Sequence, residues 1–265
     1  MKPTSLFRPA AALLFAASLL TGCKSTPTET TRPDTATTPT PAITPVFTVD
    51  SATAATVTGI VKYTGAKPKP KLIDMSSDPT CVAAHKGKAY DESLVVGAKS
   101  GLGNAFVFIE KGLEGKHFAT PTAAVTIDQA GCWFRPRVLG LQTGQTLDIV
   151  NSDPVTHNIH PMATVNHEWN HSQGPGDPAM HRIFNKPEIM IPVKCNIHDW
   201  MHAFIGVVDH PYFATTRDDG TFTLPNLPPG TYTVTAWHET LGRQSTTITV
   251  PASGKAEANL TFAAK

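Results

Sequence analysis

The amino-acid sequence predicts an all-β protein built from β-sandwiches, and three observations carry that expectation. From residue 55 onward, apolar residues recur with period two in short runs, the pattern of half-buried strands. Gly (19) and Pro (23) are plentiful in the 265 residues and fall between those runs as turn signals. No segment keeps an apolar stripe of helical period over three turns. With 40% hydrophobic and 16% charged residues, the chain can fill one large core or two small ones. A formal net charge of +1 gives no strong field, so nucleic acid and strongly charged partners are not expected.

The N-terminal segment is set aside before any fold reasoning. Lys2 and Arg8 precede an apolar run from Ala10 to Leu20, shorter than the roughly 20 residues of a spanning helix. Leu20-Thr21-Gly22-Cys23 follows, which resembles the lipobox of bacterial lipoproteins. That resemblance implies a signal peptide over 1–22 and a lipid on the Cys23 thiol. Lys24, in place of Asp, implies the outer membrane, with the folded part facing the periplasm or the exterior. A secretory signal that happens to hold a cysteine is the alternative. Residues 23–52 are rich in Thr and Pro ("KSTPTETTRPDTATTPTPAITP"). So little apolar surface cannot offset ordering entropy, and the segment reads as an extended tether.

The strands follow in order. "TVTGIVKYTG", "NAFVFIEKG" and "AAVTIDQAG" alternate, and "GQTLDIVNSD" places Leu147 and Ile149 on one face. In "PEIMIPVKC" the alternation assigns Ile189, Ile191, Val193 and Cys195 to one face, so the thiol points coreward where the strand ends. A buried structural cysteine would do the same. "HAFIGVVDH" comes next, then a hairpin in "GTFTLPNLPPGTYTVTAWHE", and "STTITVPASGKAEANLTF" closes the chain.

Chemistry concentrates in "VKCNIHDWMH", where Cys195, His198 and Met201 share one turn after a strand, and in "NSDPVTHNIH", which brings His157 and Asn158 to the end of another. A thiolate, two imidazoles and a thioether make the ligand set of a His2Cys plane with a weak axial Met. The plain alternative is a core cysteine beside solvated turn residues. "THNIH" and "CNIHDWM" resemble the two ligand loops of the cupredoxins, most of all the amicyanin type, which shares the Cys-x2-His-x2-Met spacing. "VTIDQAGCWFRPRVLGLQTGQTLDIVNSDPVTHN" resembles the preceding cupredoxin strands, with turns at Phe134-x-Pro136 and Gly144-x-Thr146. Covering about residues 120–210, the resemblance implies a Greek-key sandwich with one type 1 copper ion. His157, Cys195 and His198 would be the strong ligands, Met201 the axial one, and Asn158 would tie the two loops together by hydrogen bonds. It also implies single-electron exchange with a redox partner, and four ligands filling a closed set leave no open position for copper catalysis.

Two features depart from that pattern. Asp199 stands where many cupredoxins have Pro. The stretch "PMATVNHEWNHSQGPGDPAMHRIFNK" holds His167, His171 and His181 and is flanked by His160 and His202. It is either a solvated loop or a lid that shields the metal, adds a ligand or holds a second ion. If Cys23 carries lipid and Cys195 a metal, Cys81 and Cys132 remain; in an exported protein they are expected to pair, the alternative being two buried thiols.

"DDGTFTLPNLPPGTYTVTAWHE" resembles the carboxypeptidase regulatory-like (transthyretin-like) β-sandwich, and "TGIVKYTG" its opening strand. The expected organisation is therefore a split module, 53–118 and 213–265, around a cupredoxin domain at 119–212. His238-Glu239 reads as structural. Electron transfer is weighed against copper chaperoning or storage through the same ligands, and against a purely structural envelope lipoprotein. No Ser/His/Asp order, paired carboxylates or phosphate-binding loop argues for an enzyme.

Overall fold

The computed structural model describes residues 45–264. The leader at 1–22, Cys23 and the tether up to residue 44 lie outside the described residues. No helix among the described residues is long and apolar enough to cross a membrane.

Strand β1 (Ala55–Thr64) leads through an insert bearing helix α1 (Pro79–His85) to β2 (Phe106–Lys111). There follow β3 (Val125–Gln129), β4 (Phe134–Arg135), β5 (Val138–Gln142), β6 (Thr146–Asn151) and β7 (His157–Pro161). Then come β8 (His171–Gln173), β9 (Met180–Ile183), β10 (Glu188–Lys194) and β11 (His202–Val208). The chain ends with β12 (Phe213–Thr215), β13 (Thr221–Leu227), β14 (Gly230–His238), β15 (Gly242–Val250), β16 (Lys255–Glu257) and β17 (Leu260–Ala263). The protein is all-β, as its alternating runs predict.

Four sheets enclose three apolar cores. Sheet β13-β1-β16, with β17 also on β1, faces sheet β12-β2-β14-β15. Between them lie Val57 and Val61 of β1, Val107 and Ile109 of β2, and Tyr232 and Val234 of β14. Residues on either side of the whole 119–212 segment thus share one core. Sheets β5-β11-β10-β7-β8 and β4-β3-β6-β9 form the second sandwich, around Ile127, Leu147, Ile149, Ile191, Val193 and Ile205. Phe47 and Val49 pack against the first core, so the stretch expected as tether is already docked before residue 52.

A third core joins the sandwiches, and alternation explains it. In β2, Val107 and Ile109 enter the first core, while Phe106 and Phe108 point the other way. In β11, Ala203, Ile205 and Val207 line the second core, while Phe204 and Val208 meet those phenylalanines. Gly140 of β5 pairs with Gly206 of β11. A Cβ at either position would come within 2.6 Å of the Phe106 ring. The glycine pair is thus a flat seat for that ring.

The face assignment in β10 needs a correction. Met190 takes a left-handed conformation (φ 64°) and the register slips between Glu188 and Ile191. This bulge turns Met190 and Ile189 to the joining core, while Ile191, Val193 and Cys195 keep the second. Ile189 therefore does not share the cysteine's face.

The His-rich stretch folds onto sheet edges: β8 pairs with β7 and β9 with β6. His160 Nε2 meets Glu168 at 2.6 Å and His181 Nδ1 meets Asp148 at 2.6 Å.

Candidate metal centre

The site forms where strands of the second sandwich end. His157 is the first residue of β7. Cys195 is the first residue beyond β10, and the turn to β11 carries His198 and Met201. Two backbone bonds close that turn: Cys195 N–H donates to the Met201 carbonyl and Met201 N–H to the His198 carbonyl, both at 3.1 Å. Antiparallel pairing of β7 with β10 sets the two ligand-bearing segments side by side.

One Nδ1 or Nε2 from each of His157 and His198 and the Cys195 sulfur all lie within 4.8 Å of one another. The two Nδ1 atoms stand 3.1 Å apart, and the His198 Nδ1 is 3.8 Å from the sulfur. Two nitrogens on one ion at about 2.0–2.1 Å each are separated by roughly 3–3.5 Å, so the spacing fits a shared metal. Cys195 and His198 are 3% exposed and His157 is 0% exposed. Met201 is also wholly buried, in the same core as Cys195.

The far nitrogens fix the roles of the near ones. His157 Nε2 lies 2.8 Å from the Asp153 carboxylate and His198 Nε2 lies 3.0 Å from the Asp78 carboxylate. Each carboxylate accepts a proton donated by Nε2, which assigns the unprotonated nitrogen to Nδ1. Two lone pairs and a sulfur then converge on one point. Such a grouping is repulsive unless a cation or a proton sits among them.

Electrostatics agree. Burial pushes the Cys195 thiol up, but His157 and the backbone N–H groups of His198, Ile197 and Asn158 outweigh it and bring it down to about 7. Each of those N–H groups is 3.4 Å from the sulfur. Burial pushes the His157 imidazole down, yet hydrogen bonds to Asp153 and Cys195 leave it raised. Asp153 stays below the usual carboxylate range: burial raises it, while His157 and the Cys132 and Gly131 N–H groups lower it further. Asp78 is also lowered, chiefly by His198.

Asn158 joins the two loops. Its Oδ1 accepts from the Asn196 N–H at 3.0 Å, and its amide donates to Asn170 Oδ1 and to the His171 carbonyl. Cys81 and Cys132 are bonded to each other, which leaves Cys195 as the free cysteine among the described residues. Asp199 is exposed and outside the converging donors. The exposed His167, His171, His181 and His202 and the half-buried His160 also lie outside them, and none joins a group of metal-competent donors among the described residues.

Asp78 and Asp153 were not singled out by sequence reasoning. Both had local signals. Asp78 precedes Pro79, the pattern of an N-cap followed by Pro at the first helical position. Asp153 sits four residues before His157.

Comparison with known proteins gives partial matches. Residues 203–263 match the carboxypeptidase regulatory-like domain family. Among solved structures, the chain is similar to a Cu-containing nitrite reductase (NirK) from Thermus scotoductus SA-01. Identity there is 24% and the TM-score 0.31, over 35% of this chain and 24% of that one. A purple cupredoxin from Nitrosopumilus maritimus matches at 22% identity and TM-score 0.27, over 31% of this chain and 98% of the other. Amicyanin from Paracoccus versutus matches at 18% identity and TM-score 0.29, over 38% and 96%. The chain thus spans about a quarter of the nitrite reductase. No curated protein matches.

Proposed function

We propose that the protein binds one copper ion between His157, Cys195 and His198, with Met201 as a weak fourth ligand, and exchanges single electrons with a redox partner. The observation that carries this is the convergence of two imidazole Nδ1 atoms and a cysteine sulfur, with both Nε2 atoms held by carboxylates. Thiolate and thioether suit Cu(I), and imidazole suits both oxidation states. Bound copper would supply the one-electron couple.

The chain's own residues account for the rest. Three backbone N–H groups hold the Cys195 sulfur as a thiolate. Asp153 and Asp78 fix the two rings, and Asn158 locks one loop to the other. Burial keeps water out, and a site held this firmly rearranges little when its charge changes. No group here needs to move a proton, and we propose no catalytic reaction. The amino-terminal resemblance supports a lipid anchor at Cys23 that holds the folded part at the cell envelope, with the outer membrane favoured.

Copper titration of the purified chain tests this, followed by visible and paramagnetic-resonance spectra and voltammetry. One copper per chain, an intense sulfur-to-copper band lost in Cys195→Ser, and a reversible one-electron wave are expected. Copper bound without that band overturns the type 1 assignment. Copper held only as Cu(I) and surrendered readily to a chelator favours a chaperone.

A further inference from the structure

The β-sandwich supplies His157, Cys195, His198 and Met201, but a third, distant element reaches the same site. Helix α1, in the insert between β1 and β2, starts at Pro79 with Asp78 as its N-cap. The two carboxylate oxygens of Asp78 have separate tasks. Oδ1 accepts from the Thr80 and Cys81 N–H groups at 2.8 and 3.1 Å, and Oδ2 lies 3.0 Å from His198 Nε2. The same first turn is fastened to the second sandwich by the Cys81–Cys132 disulfide. Cys81 Sγ sits 3.6 Å from the same Nε2. Trp200 packs beside the imidazole, with ring centroids 5.2 Å apart, and donates to the Cys132 carbonyl at 3.2 Å. The His198 side chain is 3% exposed as a result, against 24% for Asp78.

We propose that Asp78 is a positioning residue for the metal centre and that α1 is a cap stapled over His198 by the disulfide. This deepens the copper reading and rests on it. Asp78 does not touch the metal point. It accepts the Nε2 proton, stops rotation of the ring and keeps the Nδ1 lone pair directed at Cys195 and His157. The disulfide holds that carboxylate in place, so breaking it frees the cap and leaves His198 to turn.

Two substitutions separate bracing from helix capping. Asp78→Ser keeps an N-cap oxygen but is too short to brace His198. Asp78→Asn also keeps the cap, since Oδ1 still faces the Thr80 and Cys81 N–H groups. Its NH2 then faces Nε2 and donates, which favours the tautomer with the proton on Nδ1, where a metal must bind. Copper affinity of the purified chain is measured by chelator competition, alongside thermal unfolding of the metal-free protein.

Expected is an affinity loss of about 10- to 100-fold for Asp78→Ser and a larger loss for Asp78→Asn, both with the metal-free melting curve little changed. Wild-type affinity in Asp78→Asn, while Cys195→Ser loses copper, overturns this proposal alone. Equal losses that track a lowered melting temperature overturn it too, because Asp78 would then be only a cap. A wild-type chain that takes up no copper, or a Cys195→Ser variant that binds as tightly, overturns the copper reading itself.

Discussion

The two sandwiches share an architecture and differ in what they bury. The first encloses an apolar core whose few buried polar groups mostly bond backbone. Thr216 Oγ1 donates to the Leu102 carbonyl and accepts from the Ala105 N–H, and His210 bonds the Ile109 carbonyl. The second gathers Asp153, His157, Asn158 and His198 at one end of its strands. There Asp153 alone accepts from two backbone N–H groups and an imidazole, at 2.7, 2.7 and 2.8 Å. Burying a charge costs several kcal/mol unless it is fully bonded. One sandwich uses polar groups as staples; the other holds a charged, fully bonded network at a single edge. The difference sets the candidate site at strand ends, on a scaffold that is otherwise ordinary.

The joining core tests whether this contrast lives within one cooperative body. Phe106 is fully buried, seated on the Gly140–Gly206 pair and packed against Phe108 and Phe213. Phe106→Ala is expected to cost about 3–5 kcal/mol in denaturant unfolding, with a single transition and unchanged copper affinity. Two separated transitions in the wild-type protein would break the comparison by making the sandwiches independent. Next in size is the disulfide, which closes a sequence separation of 51. The Cys81→Ser/Cys132→Ser pair should lose about 4 kcal/mol on the chain-entropy model. Amide exchange should rise in α1 and around His198, and change little in β14 and β15.

Much of this was legible in sequence because it is periodic or local. Alternation located β1, β2, β6, β10 and β14, and it works twice in β2, whose two faces feed two cores. Strand-end motifs and the resemblance they carry give His157, Cys195, His198 and Met201 as one ligand set; in the structure the donors of the first three converge, and Met201 is buried in the same core as Cys195. Where a local rule met an irregularity, it failed: the Met190 bulge turned Ile189 to the wrong core. What could not be read is the pairing of groups far apart in the chain. Asp78 and His198 are separated by 120 residues, and nothing in the composition of either segment announces the bond. A seven-residue helix is also too short to show a helical stripe.

A pH titration sharpens the contrast between imidazoles held by carboxylates and His238, whose Nδ1 meets only the Thr240 N–H and hydroxyl. His238, in the first sandwich, has a buried Nε2 without a partner. Burial first, and then the Arg137 charge, push its imidazole from 6.5 down to about 4. The unfolded chain takes up a proton as pH falls through about 6.5, while the folded chain refuses it until about 4. The stability that His238 contributes is therefore full above 6.5 and declines between 6.5 and 4, by up to about 3 kcal/mol. Urea unfolding of the metal-free protein across that range should show the decline, and His238→Asn should flatten part of it. An identical slope in the variant would show that another group sets the acid limit.

The smallest expected effect falls on Asn158, which links the ligand loops without touching the metal point. Asn158→Ala removes the acceptor of the Asn196 N–H and both donations from the side-chain amide. Asn196 is itself exposed, so water can replace the lost acceptor, and the cost in stability should be that of one typical hydrogen bond, about 1 kcal/mol. Metal retention should suffer more than stability, because β7 and the 195–201 turn are then free to part and the thiolate loses a fixed neighbour. Asn158→Asp separates the two contributions: it keeps the bond to the Asn196 N–H, loses the donations to Asn170 and His171, and adds a charge beside Cys195. If copper leaves Asn158→Ala faster than wild type while Asn158→Asp lies between them, the loop-to-loop bond governs retention. If both variants release copper at the wild-type rate, the backbone pairing of β7 with β10 is enough to hold the site together.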